Sequence, residues 1–396
     1  MKGKRLRIVL VSPLPPPTSG IGTWTETILT ACKSFPNLDI FLLDTAVRWR
    51  RPVDLRAFVR IPGGALHALW QILRLASLLV RRRPQLVHIC SSAGPALWKD
   101  YVMLVMSRMA GARTVLHLHT SRVPLDERDR SAAWKAVRVA VSAADQIIVL
   151  DRQTEECLRT NFRSKAVCRF PNPIRLDNAR SLSTLLDDRE HLEKTTEDQS
   201  MRIVFVGYIS PPKGVSQLVS AAAASPGTSL TLVGPVMQDY RDELERVART
   251  GGDGDWLRFS GELPHARVLE EISSADVLAL PSLRVYEAFP YAVLEGMACG
   301  KPILATSVGA VPDMIGTGDR DAAGICVEPG DVLQLVDAVK QLRDNKDMRI
   351  QMGKNGEARV QTYFDAEKIS KQLSELWLSI VEIRNEKQMD ITLIRR

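Results

Sequence analysis

Two carboxylates, Glu287 and Glu295, stand with seven residues between them in "EAFPYAVLE", and a lysine, Lys213, lies upstream in "GYISPPKG". Acids near the mouth of a helix can accept hydrogen bonds from vicinal hydroxyls, as an acidic residue does for a ribose. A lysine just ahead of a helix can neutralise a phosphate. Plainer readings exist: a solvated loop lysine, and for Glu287 a charge that favours a helix N-terminus. The second of these accounts for one acid and leaves the other unexplained. A further candidate is Ser19-Gly20-Ile21-Gly22, after the first apolar run. Its glycines would let backbone approach a ligand and the helix behind them would offer N–H groups to an anion, although a simple tight turn fits as well. His119, in "HLHTS", closes a strand pattern, where a histidine is often only a satisfied core group.

These residues need loops at strand ends to hold them, and the sequence supplies such loops twice. "LRIVLVSPLPPPTSGIGTW" and "MRIVFVGYISPPKGVSQL" both read as strand, Pro/Gly loop and helix. Thr23 with Glu26 predicts a capping box for the first helix. Pro290 suits the first position of a later helix and Gly300 its C-terminal cap. Apolar runs such as "QLVHIC", "RTVLHLHT", "SLTLVG" and "PILATS" alternate with helical stretches. That pattern predicts two doubly wound α/β domains with parallel sheets covered on both faces. Ligands are expected at the carboxyl ends of the strands, in a cleft between two facing domains. The expected division is residues 1–180, a polar linker at 181–200, residues 201–372, and a C-terminal helix at 373–396 that crosses back to the first domain.

At 396 residues the chain exceeds the usual single core, which also argues for two domains. Residues 1–180 hold 29 Lys/Arg against 13 Asp/Glu, a net +16, so the rest carries −9 of an overall +7. A basic half suits an anionic membrane surface or phosphorylated ligand. Nucleic acid is not expected, because no zinc spacing, binding signature or aromatic ladder accompanies the charge. The six cysteines form no CxxC pair, which suits reduced thiols in a cytosol. Prolines 13 and 15–17 interrupt the N-terminal apolar run, so no signal peptide is expected. "GALHALWQILRLASLLVRRRP" is broken by Gln71 and Arg74 and is too short in its apolar runs to span a bilayer. It is read as a buried helix with a cationic last turn, against the alternative of a basic amphipathic surface on anionic lipid.

Taken together, the N-terminal glycine loop, "HLHTS", "VGYISPPKG" and the acid pair in "EAFPYAVLEGMACGKPILAT" resemble retaining glycosyltransferases of family 4. "RFPNPI", "RFSGEL" and "SVGAVPDMI" are similar landmarks, so the likeness covers nearly the whole chain. It implies a GT-B fold, two facing Rossmann-like domains, the second holding a nucleotide-diphosphate sugar and the first an acceptor. Lys213 would contact the diphosphate, and Gly20 and Gly22 would bring backbone to it. Glu295 would bind ribose hydroxyls and Glu287 a hydroxyl of the transferred sugar. Gly207, Tyr208, Ala288, Phe289, Pro290 and Leu294 would line the donor site. His119 would act near the reaction centre, with His117 expected on the opposite face. No divalent metal or other cofactor is implied.

Three departures stand out. Tyr208 replaces the usual arginine of the phosphate loop, Pro290 supplies no N–H where many relatives have glycine, and Gly296 follows the second acid in place of alanine. The implied activity is transfer of a hexose-type sugar to a glycan, glycolipid or lipid-linked acceptor in surface polysaccharide synthesis, on the cytoplasmic side and in peripheral contact with membrane. The alternatives are a nucleotide-sugar sensor or scaffold without catalysis, or another GT-B enzyme such as an epimerase. A dehydrogenase is disfavoured because neither loop contains GxGxxG.

Overall fold

Residues 8–11 and 203–205 are apolar at every position rather than alternate ones, and in the structure each run is a strand buried on both faces. The computed structural model describes residues 5–48, 57–176, 200–283, 287–318 and 320–394. The chain divides into two compact units, residues 1–173 with 366–396, and residues 174–365.

The first unit runs β1 (Leu6–Ser12), α1 (Gly20–Cys32), β2 (Leu38–Asp44), α2 (Ala57–Arg82), β3 (Leu86–Ser91) and α3 (Ala96–Met109). It continues through β4 (Arg113–Leu118), α4 (Val123–Arg128), α5 (Ala132–Ala143), β5 (Gln146–Val149), α6 (Arg152–Asn161) and β6 (Ala166–Arg169). All six strands are parallel, in the order β2-β1-β3-β4-β5-β6. Connections diverge to either side between β1 and β3, which makes that gap the switch point where loops open a crevice.

In the second unit come β7 (Met201–Val206), a 3-10 turn (Pro211–Lys213), α7 (Val215–Ala223), β8 (Thr228–Val233), α8 (Gln238–Ala248) and β9 (Leu257–Gly261). Then follow α9 (His265–Ser274), β10 (Val277–Leu280), α10 (Tyr291–Ala298), β11 (Ile303–Thr306), α11 (Val311–Ile315), β12 (Gly324–Val327), α12 (Val332–Asp344) and α13 (Lys346–Arg359). Its parallel sheet has the order β12-β11-β10-β7-β8-β9, with the switch point between β7 and β10. The last helix, α14 (Ala366–Ile394), belongs with the first unit, so the unit boundary falls at residue 366 rather than 373. The expected linker at 181–200 lies, but for Ser200, outside the described residues.

One face of the first sheet packs Val9, Val11, Val87, Ile89 and Leu116 against Leu75, Leu79, Leu97, Met103 and Val137 of α2, α3 and α5. On the other face, Trp24 of α1 and Leu373 and Trp377 of α14 are fully buried. Three expectations change at this level. The α1 cap is Ser19, whose Oγ accepts from Gly22 N at 3.0 Å, not the Thr23/Glu26 pair. That cap contributes about 1 kcal/mol and starts the helix one turn earlier. Pro290 is the cap of α10 rather than its first residue. And α2 is not a buried helix: only its inner face, at Gln71, Leu75 and Leu79, meets the fold, while Leu66, Leu69, Trp70, Leu73 and Val80 face outward.

Gly296, unexplained by sequence, has a packing reason. A Cβ there would lie 2.8 Å from Ile303 Cδ1 and 3.1 Å from Leu278 Cβ, so α10 sits tight against β10 and β11. Gly296→Ala adds helix propensity of about 1 kcal/mol but overpacks the contact at a cost of about 1–3 kcal/mol. The expected result is a net loss of about 1 kcal/mol in urea unfolding; a stabilised variant would refute the packing argument.

Candidate functional site

In the second unit, the loops after β7 and β10 flank the switch point, and both carry candidate residues. Gly214, at φ +68°, closes the turn after Lys213, and a Cβ on it would meet Pro281 O at 1.8 Å. Leu283 N donates to Pro212 O at 2.9 Å, tying the two loops together. The loop after β11 abuts the same backbone: Gly309, at φ +54°, leaves 1.7 Å between a would-be Cβ and Glu287 O, and Ala310 N donates to Ala288 O at 3.0 Å. Only glycine satisfies both the left-handed dihedral and the closeness at these two positions.

That scaffold brings the Lys213 ammonium into direct contact with Glu287 Oε1. Ser282 Oγ donates to the same oxygen at 3.1 Å. The Glu287 side chain is 12% exposed and that of Lys213 30%, so the pair is shielded yet reachable. Glu295 lies further along α10, and its Oε1 pairs at 2.8 Å with Nε2 of His265, the first residue of α9. Sequence reasoning missed His265; "RFSGEL" marked the strand before it but nothing marked the pairing. Tyr208 is exposed, and among the described residues it brings no cation to this loop. Ala288 and Phe289 are buried, with Phe289 edge-on to Phe364, and Leu294 is wholly buried, so its side chain supports the helix from beneath.

In the first unit, Gly20 opens α1 rather than standing in a loop before it. The Gly22 amide is taken by Ser19 Oγ and that of Thr23 by Ser19 O, which leaves the Gly20 and Ile21 amides ahead of the helix ladder. Gly22 is tightly packed, since a Cβ would meet Ser19 Oγ at 3.0 Å and Pro15 Cδ at 3.2 Å. Trp24, one turn on, joins this helix to His119: their rings lie 5.4 Å apart at 72°. His117 is on the same side as His119, with ring centroids 3.9 Å apart. The expected opposite placement is thereby corrected, because residues two apart on a strand share a face.

Beneath His119 lies a chain of buried polar rings that the sequence did not reveal. Trp377 Nε1–H donates to His88 Nδ1 at 3.0 Å, and His88 Nε2 faces His117 Nδ1 at 3.4 Å. An indole N–H can only donate, so His88 carries its proton on Nε2 and offers it to His117, whose proton is then on Nε2. Loss of solvent lowers His88 to about 3, with the nearby His119 adding to the effect, and lowers His117 well below the usual imidazole value. Burial lowers His119 to about 3 as well. His88, Cys90 and His117 also place three ligand-type atoms within 4.8 Å of one another. Both nitrogens of His88 are already engaged, Nδ1 by the Trp377 indole and Nε2 by His117 Nδ1, so as it stands the trio is part of a hydrogen-bonded packing cluster.

The arrangement can bind an anion beside a hydroxylated group in the second unit and present a neutral imidazole in the first. Comparison with known proteins bears on the family and the fold. The family description "Glycosyl transferases group 1" matches residues 187–359, and "Glycosyltransferase Family 4" matches residues 35–178. An alpha-D-kanosaminyltransferase of Streptomyces kanamyceticus is 28% identical over 317 residues, covering 77% of this chain and 80% of that protein. A 2-deoxystreptamine N-acetyl-D-glucosaminyltransferase of Streptomyces fradiae is 27% identical, covering 65% of this chain and 62% of that protein. Among solved structures, sucrose-phosphate synthase of Thermosynechococcus elongatus has a TM-score of 0.75 at 19% identity, covering 96% of this chain and 100% of that one. Anabaena HepE in complex with UDP-glucose has a TM-score of 0.67 at 18% identity, covering 95% and 100%. These likenesses support the two-unit α/β fold of the GT-B class and do not favour the sensor or epimerase alternatives. With one family description on each unit and transferases among its relatives, the chain belongs to the family 4, group 1 glycosyltransferases.

Proposed function

We propose that this glycosyltransferase moves a hexose-type sugar from a nucleotide-diphosphate sugar to a glycan, glycolipid or lipid-linked acceptor of surface polysaccharide synthesis, with retention at the anomeric carbon and without a divalent ion. The observation that carries the reading is the contact of Lys213 with Glu287 at the second unit's switch point. Donor binding would be an exchange. The pyrophosphate replaces Glu287 as the partner of the ammonium, and a sugar hydroxyl replaces Lys213 as the partner of the carboxylate. Glu295 would turn from His265 to the ribose hydroxyls. When the bond from the anomeric carbon to the diphosphate breaks, Lys213 stabilises the charge left behind from a fixed position. The acceptor oxygen bonds to that carbon from the same face, and its proton passes to the departing phosphate oxygen. Crystallised relatives hold UDP and UDP-glucose, which supports a nucleoside diphosphate as leaving group.

A thermal-shift panel of UDP-, ADP- and GDP-sugars tests the donor class. One donor at about 100 times its dissociation constant adds about 2.7 kcal/mol, a rise of roughly 5 °C or more for a unit of this size. With that donor, EDTA is expected to leave the shift and the transfer rate unchanged. A rate abolished by EDTA and restored by magnesium would overturn the metal-free reading, and a panel with no shift would overturn the donor class.

A further inference from the structure

The first unit carries an apolar ridge that its core does not use. On α2, Leu66, Leu69, Trp70, Leu73 and Val80 recur at steps of three, four and seven residues, so they form one stripe along the side opposite Gln71, Leu75 and Leu79. Leu66 is 69% exposed, Leu73 61% and Val80 75%. The neighbouring α3 extends the patch with Trp98, Val102 and Met109, the last 83% exposed. Arg74 and Arg81 border the stripe on the same helix, and the Arg74 guanidinium lies 5.3 Å from the Trp70 ring. Between residues 63 and 83 there are four arginines and no acid.

We propose that the outward face of α2 and α3 docks the first unit onto an anionic lipid bilayer. Helix α2 is long and apolar enough to cross a membrane by length and composition, yet the fold holds it down. Gln71 Nε2 donates to Thr45 O at 3.3 Å, and Leu75 and Leu79 are buried in the core. What remains is a helix lying in the interface plane, leucines and tryptophan toward the acyl boundary and arginines level with the headgroups. Charge selects this occupant over a second copy of the chain. A symmetric dimer through the ridge would press Arg74 and Arg81 against a helix that offers no acid between residues 63 and 83, whereas anionic headgroups neutralise them. The inference goes beyond the proposed donor chemistry and involves none of its residues.

The test is sedimentation of the full chain with vesicles of about 30% phosphatidylglycerol in phosphatidylcholine, without donor or acceptor. Binding is expected to the anionic vesicles, to fall with rising salt, and to be absent on pure phosphatidylcholine. Leu66→Glu with Leu73→Glu is expected to weaken it by roughly a hundredfold or more, following loss of two buried leucines. Arg74→Glu with Arg81→Glu is expected to abolish the charge dependence. Because all four side chains are exposed, melting temperature and donor-induced shift should be unchanged, so failure of the donor reading is separable from failure here. No sedimentation with anionic vesicles, or equal sedimentation of the variants, overturns the proposal. So does a dimer that the leucine variant dissociates in the absence of vesicle binding, since the ridge would then be a protein interface.

Discussion

Lys213→Met is expected to remove most of the donor-induced rise in melting temperature and to lower kcat/KM by about 10²–10³-fold, the usual cost of deleting one fixed group that stabilises leaving charge. Two effects must be separated. Without the ammonium, Glu287 keeps Ser282 Oγ as a neighbour but loses its cation, and a shielded carboxylate with fewer partners destabilises the folded state by about 1–3 kcal/mol. The double variant Lys213→Met/Glu287→Gln removes that stranded charge. Its donor-free melting temperature should recover toward the parent value, while kcat/KM stays low because the cation is still missing and the carboxylate that would hold the sugar hydroxyl is gone as well. If the double variant regained activity along with stability, Lys213 would be a structural partner of Glu287 and nothing more. If the single variant bound donor as the parent does, the assignment of the diphosphate to this loop would fail.

Much of this site was legible in the sequence because its geometry is local. Lys213 and Glu287 sit in loops directly after apolar runs, and in a parallel sheet such loops must emerge at the carboxyl edge. Their meeting then follows from β7 and β10 being neighbours, which the strand order provides. The glycines could be singled out but not explained: the reasons for Gly214 and Gly309 are the carbonyls of Pro281 and Glu287, which come close only in the fold. What depends on distant pairing was invisible. Trp377 and His88 are 289 positions apart, and no spacing rule links an indole in the last helix to a strand imidazole. His265 was missed for the same reason.

Helix α2 failed differently. Its apolar arc is broader than the part the core covers, and the pattern does not say which apolar residues the fold will reach, so a ridge and a core stripe together read as one buried helix. The α1 cap was missed because Thr23 and Glu26 satisfy the capping-box pattern as well as Ser19 and Gly22 satisfy the real one.

The buried histidines make a second large effect, on stability rather than activity. His88 and His117 are both fully buried, and both are held neutral in the folded state far below the ordinary imidazole value of about 6.5. The unfolded chain therefore binds more protons than the folded one as pH falls below about 6.5, and stability must decline in that direction. It is full above pH 6.5 and is lost progressively toward pH 3, near the folded value for His88. Each such group contributes about 1.4 kcal/mol per pH unit, so the two together give a slope of about 2.7 kcal/mol per unit. His119, which burial also lowers to about 3, adds a third contribution of the same sign. Six of the seven tryptophans lie in residues 1–173 and 366–396, so indole fluorescence in urea reports the unit that contains the cluster. Between pH 5 and 6, His88→Gln is expected to lower the slope by one proton relative to the parent chain, which cancels contributions from every other titrating group. Trp377→Phe is expected to keep the parent slope while reducing stability at neutral pH by about 1 kcal/mol, since it deletes the donor to His88 Nδ1 and leaves the imidazole buried. Equal slopes for the parent and His88→Gln would show that His88 takes up its second proton in the folded chain as it does in the unfolded one, and the Trp377-to-His88 hydrogen bond, which needs a proton-free Nδ1, would be refuted.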